Sequence, residues 1–398
     1  MFEDIFALIL KAQKTLDKTI NKTPIFTASY LGPDIYIKME NLQRTGSFKY
    51  RGAYNKLANL SREEKDKGVI ASSAGNHAQG VAKSATAQGI KSVICIPSIA
   101  PIAKIESTRR YGAEVVLVDG VYDDAYKEAM RISKDQDLTF IHPFDDRFVI
   151  AGQGTIGLEI LDQLPNVERI IVPIGGGGLI SGVAIAVKTL RPEVEIIGVE
   201  AEGAACFYES RKKKCLTEIS SAKTIADGIA VKRPGNLTYE IIDQLVDDIV
   251  TVSDGEIASA ILNMLEKSKL IAEGAGATPI AALSKFDDGK VTCCVLSGGN
   301  INVNMISRII QKGLYESGRQ CEITTLLSDM PGELVKFLSI FDDLEVNILT
   351  VNQFAEHEKN QLGRLVVRLV LETKNSQQIQ EIYKLMSEKG YKHYRNLD

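Results

Sequence analysis

The hydrophobic and polar positions of the chain follow two different patterns, and the change between them falls near residue 316. From about residue 34 to 315, short β-branched runs alternate with segments of helical periodicity. Continuous apolar strands joined by helices are typical of a parallel sheet in an α/β fold. The predicted strands are VIAS, SVICIP, AEVVLV, RIIVPI, VEIIGVE, DIVTVS and VTCCVLS, and the predicted helices include NHAQGVAKSATAQ, IAKIESTRRYG, YDDAYKEAMRIS, GLISGVAIAVKTL and EIASAILNMLEKS.

After a polar segment at 316–320, ESGRQ, the order of the predicted elements changes. CEITTLL, LEVNILTV and GRLVVRLVLE are predicted strands, MPGELVKFLSIFDD and NSQQIQEIYKLMSEKG are predicted helices, and a short last strand can follow. This β-α-β-β-α-β order is ferredoxin-like. The pattern predicts a first domain at 1–315, a linker at 316–320 and a small second domain at 321–398.

Composition narrows the class of protein. A length of 398 residues suggests two or three domains, and 44% hydrophobic with 25% charged residues is typical of a soluble globular protein. The net charge of -4 gives no reason to expect nucleic acid or an anionic membrane as a partner. The six cysteines form no CxxC pair and no His/Cys cluster with metal-ligand spacing, so we expect reduced thiols, a cytoplasmic protein and no metal.

Two segments could be mistaken for targeting or membrane sequences. The N-terminus, MFEDIFALILKAQKTLDKTI, has acidic residues where a signal peptide has basic ones, and it predicts an amphipathic helix. Residues 170–187 form an uncharged stretch of eighteen residues, which is long enough to suggest a membrane span. Pro173 and four glycines within it argue against a continuous helix, so a strand, a glycine loop and a helix are predicted instead.

Lys49 is the first candidate for chemistry. Thr45-Gly46-Ser47 predicts a turn that ends in a helix N-cap, and FKYRGAYNKLANL continues with helix-forming residues. Lys49 would then lie in the first turn, where the helix dipole disfavours an ammonium and lowers the pKa of the amine. A lysine that is partly neutral at neutral pH suits Schiff-base chemistry. A lysine on a solvated helix face is the simpler alternative.

Four consecutive glycines, Gly175, Gly176, Gly177 and Gly178, directly follow the strand RIIVPI and precede a helix. Backbone N–H groups without side chains can surround a phosphate, and the helix dipole adds to the attraction. The alternative is a flexible turn, but four glycines are entropically costly for a turn. The loop lacks the Gly-Lys-Ser/Thr ending of a P-loop, which disfavours a nucleotide triphosphate with magnesium.

A competing signal, GQGTIG at 152–157, matches the dinucleotide fingerprint G-x-G-x-x-G only weakly. No clear strand leads into it, and no acidic residue ends a second strand about twenty residues later. We therefore interpret it as a glycine-rich helix entry, and a nicotinamide dehydrogenase is disfavoured.

Two further turns follow predicted strands. SSAGNHAQG, residues 72–80, ends one strand and opens a helix; Asn76 could bind a cofactor oxygen and His77 a substrate, or either could cap the helix. LSGGN, residues 296–300, ends the strand VTCCVL and places Ser297 at the carboxyl edge of the sheet, where open α/β sheets bind ligands. A reactive lysine, a phosphate loop and a hydroxyl at one edge suit pyridoxal phosphate.

The motifs TGSFKYRGA, SSAGNHAQGVA, APIAKIESTRRYGAEVVL, GGGGLISG, TIADGIAV and LSGGN lie in this order between about residues 20 and 315. As a set they resemble fold-type II pyridoxal-phosphate enzymes, specifically the threonine ammonia-lyases (threonine dehydratases). The tail, with SDMPGELVKFL, resembles an ACT domain, a regulatory module that often binds amino acids. The resemblance implies two open α/β sheet subdomains, as in tryptophan synthase β, with the smaller one at about 40–145.

The resemblance also implies roles for the cofactor site. Lys49 would form the covalent Schiff base, and Phe48 would pack beside it. Asn76 would hydrogen-bond the 3-oxygen of the cofactor ring, Gly175–Leu179 would hold its phosphate, and Ser297 would face the ring nitrogen. A hydroxyl at that nitrogen makes the cofactor a weaker electron sink, which favours β-elimination.

The resemblance further implies a segment that binds the substrate, and the chain differs from serine racemases of the family at two positions. Ser73, Ala74 and Gly75, together with Asn76, would hold the substrate carboxylate. Serine racemases of the family carry a serine at the position of Ala74, and its absence here disfavours racemisation. Those relatives also bind a divalent cation near the segment VEAEGAAC, where Glu200 matches but Cys206 replaces an expected carboxylate, so no metal is predicted.

The implied activity is conversion of L-threonine to 2-oxobutanoate and ammonia, with L-serine as a further substrate. The alternatives are a β-replacement or threonine-synthase-like enzyme, a serine dehydratase or racemase on the same scaffold, and a non-catalytic amino-acid-binding regulator. The intact lysine, asparagine, glycine loop and serine argue against a loss of catalysis.

The ACT resemblance implies regulation and assembly. ACT domains usually act in pairs, so a homodimer or homotetramer is expected. Asp329, Pro331, Gly332 and Leu334 form the first strand–helix turn, where family members bind effectors, although this turn could be only a helix start. Isoleucine would fit a role in isoleucine biosynthesis, and valine or a nucleotide are the alternatives.

Overall fold

The computed structural model describes residues 1–342, 344–354 and 363–394. The chain forms two compact units, Met1–Asn302 and Val303–Asp398. The boundary lies earlier than the predicted domain end at 315, because the helix after Asn302 belongs to the second unit. The predicted linker at 316–320 is a short turn: the helix ends at Glu316 and the next strand begins at Gln320.

The first unit contains two sheets and their covering helices. Its strands are β1 (Ile25–Thr27), β2 (Ile35–Met39), β3 (Val69–Ser72), β4 (Ser92–Pro97), β5 (Glu114–Val118), β6 (Thr139–Phe140), β7 (Arg169–Pro173), β8 (Glu195–Ala201), β9 (Asp248–Val252) and β10 (Thr292–Leu296). Its helices are α1 (Phe2–Leu16), α2 (Lys49–Ala58), α3 (Arg62–Lys67), α4 (Asn76–Ala87), α5 (Ile102–Arg110), α6 (Tyr122–Gln136), α7 (Arg147–Gln163), α8 (Gly178–Leu190), α9 (Cys206–Lys213), α10 (Asn236–Leu245), α11 (Asp254–Asn263) and α12 (Gly274–Ala281).

The larger sheet has the strand order β1-β2-β10-β7-β8-β9, and the smaller has the order β5-β4-β3-β6. All neighbouring strands are parallel except β1 and β2. Residues of β3, β4, β7 and β10 are buried throughout, as expected for continuous apolar strands covered by helices on both faces. The predicted α/β fold with parallel sheets is confirmed, and the smaller sheet lies within the predicted subdomain at 40–145.

The motif GQGTIG lies in the middle of α7, so its interpretation as a helix entry is wrong. The helix begins at Arg147, where Asp146 caps it by accepting bonds from two backbone N–H groups. The glycines allow close helix contacts: a Cβ at Gly152 would lie 2.7 Å from the Arg51 carbonyl oxygen, and one at Gly154 would lie 2.9 Å from that of Gly182. They serve helix packing rather than phosphate binding.

The uncharged stretch at 170–187 folds as β7, a glycine loop and α8, as predicted. In the parts of the chain that the structure describes, no helix is long and apolar enough to cross a bilayer.

The second unit contains α13 (Val303–Glu316), β11 (Gln320–Ser328), α14 (Glu333–Leu338), β12 (Asn347–Phe354), β13 (Arg364–Glu372) and α15 (Ser376–Glu388). The three strands form an antiparallel sheet in the order β11-β13-β12. Beyond α15, Tyr394 pairs with Thr324 of β11 in an isolated bridge, at the place of the predicted last strand, while 395–398 lie outside the described residues. The order β11, α14, β12, β13 and α15 is therefore the predicted one, and within the described residues the predicted last strand is represented only by this bridge.

Candidate active site

The two residues before Lys49 contact the LSGGN turn at the carboxyl edge of the larger sheet. The backbone N–H of Phe48 donates to the Ser297 carbonyl oxygen at 3.0 Å, and Ser47 pairs with Gly298 in an antiparallel bridge. Helix α2 begins at Lys49, which therefore lies in the first turn, as predicted. The N-cap position is occupied by Phe48 without a side-chain bond, so the predicted capping role of the Thr45-Gly46-Ser47 turn is wrong. The buried Ser47 hydroxyl has no hydrogen-bond partner among the described residues.

The Lys49 side chain is partly buried, and its amine donates a hydrogen bond to the Pro143 carbonyl oxygen at 2.9 Å. Its Nζ atom lies 5.2 Å from the centre of the Phe48 ring. Burial lowers the pKa of Lys49 to about 8, against the opposing attraction of the Glu273 carboxylate. The predicted direction agrees with this value, whereas the cause is loss of solvation rather than the helix dipole.

The segment Ser73–Gly75 connects β3 to α4 and is partly exposed. The Ser73 hydroxyl accepts a bond from the Gly75 N–H at 3.1 Å, which shapes the turn before the helix. Ala74 lies in this turn and presents only a methyl group. The N-terminus of α4 therefore presents backbone N–H groups on a short, open loop, an arrangement that suits a carboxylate.

His77 does not face the open part of this loop. Its ring is buried, and its Nε2 atom lies 2.8 Å from the Ile141 carbonyl oxygen. Burial, reinforced by the charge of Lys49, lowers the pKa of His77 to about 3. A neutral ring bonded to the backbone has a structural role, so the predicted substrate contact of His77 is not supported.

The glycine loop is enclosed by side chains from several directions. A Cβ at Gly176 would collide with the Phe144 ring, and Gly177 has a φ of +91°, which favours glycine. Gly178 begins α8, and Leu179 follows it in the first turn, 5% exposed. Since the first N–H groups of a helix have no intrahelical acceptor, the loop is a side-chain-free cradle for an anion.

Two residues that the sequence analysis did not consider bind Asn76. The Asn76 Nδ2 group donates to Glu273 Oε1 at 2.7 Å, and its Oδ1 atom accepts from Asn300 Nδ2 at 2.8 Å. Burial, reinforced by Asp227, raises the pKa of Glu273 to about 7. Asn300 lies within the LSGGN motif, and a polar residue directly after two glycines could have been recognised in the sequence as a candidate site residue. Glu273 lies in AEGAGA, and nothing in its spacing links it to Asn76.

Glu200, the candidate cation ligand, is bonded to protein groups. Its carboxylate accepts from the backbone N–H groups of Phe207 at 3.0 Å and Tyr208 at 2.7 Å, at the start of α9. Burial raises the pKa of Glu200 to about 8 and also raises the pKa of the Cys206 thiol. Within the described ranges, no group of three or more His, Cys, Asp or Glu residues could hold a metal ion.

In the second unit, the four predicted effector residues line one cavity of about 310 Å³. The turn between β11 and α14 forms one wall, and residues of β12 and β13 form the other. The lining residues are Leu327, Ser328, Asp329, Met330, Pro331, Gly332, Leu334, Val335, Gln353, Leu365 and Val367.

The residues of the first unit fit pyridoxal phosphate. The cofactor needs an amine that is neutral near pH 7, an anion site for its phosphate and polar groups for its ring. Lys49 has a lowered pKa, the glycine loop has no side chains, and Asn76 and Ser297 supply an amide and a hydroxyl.

Comparison with known proteins agrees with this fit. The family of pyridoxal-phosphate dependent enzymes matches residues 16–298. The L-threonine ammonia-lyase of Thermotoga maritima is 49% identical over 389 residues, which cover 96% of this chain and 97% of that protein. The chain therefore belongs to the pyridoxal-phosphate dependent enzyme family, and its cofactor is pyridoxal phosphate. Within that family it groups with the threonine ammonia-lyases.

Solved structures give the same fold for the first unit. The processed form of threonine deaminase isoform 2 from Solanum lycopersicum matches with a TM-score of 0.74 at 37% identity, over 78% of this chain and 93% of that one. Maize serine racemase matches with a TM-score of 0.73 at 33% identity, over 78% of this chain and 98% of that one. The same scaffold thus carries both activities in relatives.

Proposed function

We propose that this protein converts L-threonine to 2-oxobutanoate and ammonia by β-elimination, and that it also accepts L-serine. The observation that carries the proposal is the Lys49 amine, with its pKa lowered to about 8, at the same sheet edge as Ser297. The near full-length likeness to an L-threonine ammonia-lyase supports the choice of reaction.

The proposed site assigns one part of the cofactor to each group. Lys49 binds the aldehyde carbon, Gly175–Leu179 bind the phosphate, Asn76 binds the 3-oxygen of the ring, and Ser297 faces the ring nitrogen. Phe48 packs beside Lys49, which its ring position supports. When bound, pyridoxal phosphate withdraws electrons from the Cα atom of the substrate and makes its proton acidic.

The side chains of the protein then perform the proton transfer. The loop Ser73–Gly75 and the N-terminus of α4 hold the substrate carboxylate, which orients the Cα–H bond. Lys49, once displaced from the cofactor by the substrate amino group, would take the Cα proton as a neutral general base. The β-hydroxyl group would leave as water with the proton that Lys49 took up, and the released enamine would tautomerise and hydrolyse to 2-oxobutanoate and ammonia.

Ala74 supports elimination over racemisation. A racemase needs an acid–base group on the face of Cα opposite the lysine, and the methyl group of Ala74 cannot supply a proton there. Threonine and serine differ by one methyl group, a difference of roughly 1–3 kcal/mol in a hydrophobic pocket. We therefore expect activity on both substrates.

We propose that the second unit is an ACT domain that binds an amino-acid effector in its 310 Å³ cavity. Apolar side chains from the turn and from two strands are available for an aliphatic side chain, with isoleucine as the first candidate. Valine and nucleotides are the alternatives. Pairing of such domains would make the protein a homodimer or homotetramer, which light scattering after size-exclusion chromatography measures.

The test is release of 2-oxobutanoate and ammonia from L-threonine by the wild type and by Lys49→Ala. We expect equal amounts of both products from the wild type, no activity in the variant, and no visible absorption from a Lys49-bound cofactor in the variant. Lys56→Ala, which changes a lysine on the same helix, is the matched control and should keep the activity. A cofactor-loaded wild type that yields no oxo acid would contradict the proposal and favour β-replacement.

A further inference from the structure

Asn76 is held at both ends of its amide by two residues from the part of the first unit that contains the larger sheet. Asn76 is the first residue of α4, which belongs to the smaller subdomain. Glu273 precedes α12, and Asn300 follows β10, so both partners belong to the other side of the first unit. The contact distances are 2.7 Å to the Glu273 carboxylate and 2.8 Å to the Asn300 amide nitrogen.

The two partners together allow only one orientation of the Asn76 amide. Asn300 Nδ2 donates both to Asn76 Oδ1 and to the Thr45 carbonyl oxygen, the latter at 2.7 Å. If Asn76 were turned over, its NH₂ group would face the NH₂ group of Asn300, and its oxygen would face the carboxylate of Glu273. Asn300 is fixed in the same way, because its oxygen would face the Thr45 carbonyl oxygen if it turned over.

The local backbone leaves space for this chain of bonds. A Cβ at Gly46 would collide with the Asn300 amide, and a Cβ at Gly298 would collide with the Glu273 carboxylate. The Glu273 N–H donates to the Gly298 carbonyl oxygen at 3.1 Å, which places Glu273 beside the end of β10.

The Glu273 side chain does not serve its own helix. It occupies the N-cap position of α12, where a carboxylate usually accepts a bond from the N–H groups of the first turn, but its side chain makes no such bond. It is 5% exposed and reaches Asn76 instead. A purely structural capping role therefore does not account for its position.

We infer that Asn300 and Glu273 are positioning residues that fix the orientation of the Asn76 amide, so that an N–H of Asn76 is presented to the ring oxygen of the cofactor. The inference rests on the cofactor role proposed above for Asn76. Asn76 Nδ2 has two hydrogens; one is used by Glu273, and the other is available for the cofactor. Without these two partners, the Asn76 amide would present its oxygen to the cofactor part of the time. That oxygen would repel the ionised ring oxygen of the cofactor.

The experiment measures the dissociation constant of pyridoxal phosphate from the apoprotein and the visible absorption spectrum of the loaded protein. Asn300→Asp keeps the size of the side chain but replaces its N–H donors with an acceptor, so the Asn76 orientation loses the bond from residue 300 and is no longer fixed. Glu273→Leu removes the acceptor, whereas Glu273→Gln keeps an acceptor oxygen. Asn41→Asp is the matched control, because Asn41 donates to the Ile271 carbonyl oxygen and not to Asn76.

We expect Asn300→Asp and Glu273→Leu to bind the cofactor about tenfold more weakly and to shift the absorption in the same direction as Asn76→Ala. Glu273→Gln and Asn41→Asp should resemble the wild type. Because the residues act through Asn76, adding Asn300→Asp to Asn76→Ala should cause no further loss. A thermal melt of each apoprotein checks folding, and Asn300→Asp alone decides the question if Glu273→Leu does not fold.

The inference would be overturned if Asn300→Asp kept the wild-type affinity and absorption. It would also be overturned if the loss of affinity in Asn300→Asp added to the loss in Asn76→Ala. Either result would leave the proposed function intact. If Asn76→Ala itself binds the cofactor like the wild type, the cofactor role of Asn76 is wrong and the inference is overturned with it. Activity of the wild type on L-threonine tests the proposed function separately.

Discussion

Single residues in this site obtain their chemistry from burial more than from their neighbours in sequence. Lys49 lies at the first position of a helix, but the enclosure of its ammonium is the main cause of its lowered pKa. The same burial keeps His77 neutral and raises the pKa of Glu273. A site that encloses several ionisable groups therefore presents a neutral amine at a pH where an exposed lysine is charged.

The pKa of Lys49 predicts how cofactor capture depends on pH. Only the neutral amine attacks the aldehyde, and with a pKa of about 8 roughly a tenth of it is neutral at pH 7. The rate of capture by the apoprotein should therefore rise about tenfold per pH unit below about pH 7, rise less steeply through pH 8 and level off above about pH 9. Stopped-flow absorbance between about pH 6 and 10 measures this rate. Nα-acetyl-lysine serves as the control. An inflection of the protein's pH–rate profile near the ordinary pKa of lysine would contradict the prediction.

Gly176 tests whether the loop needs its missing side chain. In Gly176→Ala the added methyl group would collide with the Phe144 ring, so the loop must move and its N–H groups lose their arrangement. We expect at least a tenfold weaker affinity for pyridoxal phosphate, measured by titration of the apoprotein. Gly255→Ala is the control, because a Cβ there meets only an ordinary contact at 3.8 Å. Unchanged affinity in Gly176→Ala would show that the loop tolerates the shift.

At the scale of elements, a buried charge cluster fixes the helix that carries Lys49. Arg51 of α2 contacts the Glu40 carboxylate at 2.8 Å and the Glu159 carboxylate of α7 at 2.6 Å, and Lys38 of β2 contacts Glu159 at 2.6 Å. The Arg51, Glu40 and Lys38 side chains have no exposed surface. Two cations and two carboxylates balance each other, so removal of one member leaves a buried charge without a partner.

We expect Arg51→Met to lower the free energy of unfolding by about 3–5 kcal/mol, because two buried carboxylates lose their main partner. Arg131→Met is the matched control: Arg131 also pairs with two carboxylates, Glu128 and Asp135, but its side chain is 61% exposed. Exposed pairs contribute little, so this control should melt like the wild type. Urea unfolding of both apoproteins measures the difference, and equal stabilities would contradict the assigned role of burial.

At the scale of the whole molecule, the chain combines a unit with a catalytic site and a unit with a separate cavity. The family match at 16–298 lies within the first unit, Met1–Asn302. The cavity of the second unit is formed by its own sheet and its first strand–helix turn. If the proposed regulation is right, ligand binding in the second unit changes the reaction in the first, which is a coupling between two distinct sites.

Val335 provides a test of that coupling. It lines the cavity and is 71% exposed, so Val335→Trp should fill the cavity without disturbing the fold. We expect the response of threonine deamination to isoleucine to weaken at least tenfold in effector concentration, while activity without effector stays unchanged. Lys336→Trp changes the neighbouring residue, which does not line the cavity, and should respond like the wild type. An undiminished response in Val335→Trp would place the effector elsewhere.

Local patterns in the sequence were sufficient to predict most of the elements and the motifs of this protein. Periodicity predicted the parallel strands and the glycine loop before α8, and the motif order indicated a pyridoxal-phosphate enzyme. These features depend on local backbone preferences and on the spacing of apolar residues, which the sequence contains directly. The prediction for GQGTIG was wrong, because this motif lies inside a helix. Its glycines fit against α1, α2 and α8, and the spacing of residues in the sequence does not indicate contacts between distant helices.

The interactions between the groups of the site became visible only in the folded structure. It joined Asn76 to Glu273 and Asn300, which are 197 and 224 residues away in sequence. It placed His77 against the backbone and made burial the cause of the lowered pKa of Lys49. Hydrogen-bond partners and solvation depend on atoms that the fold brings together from distant segments, so no local pattern could have supplied them.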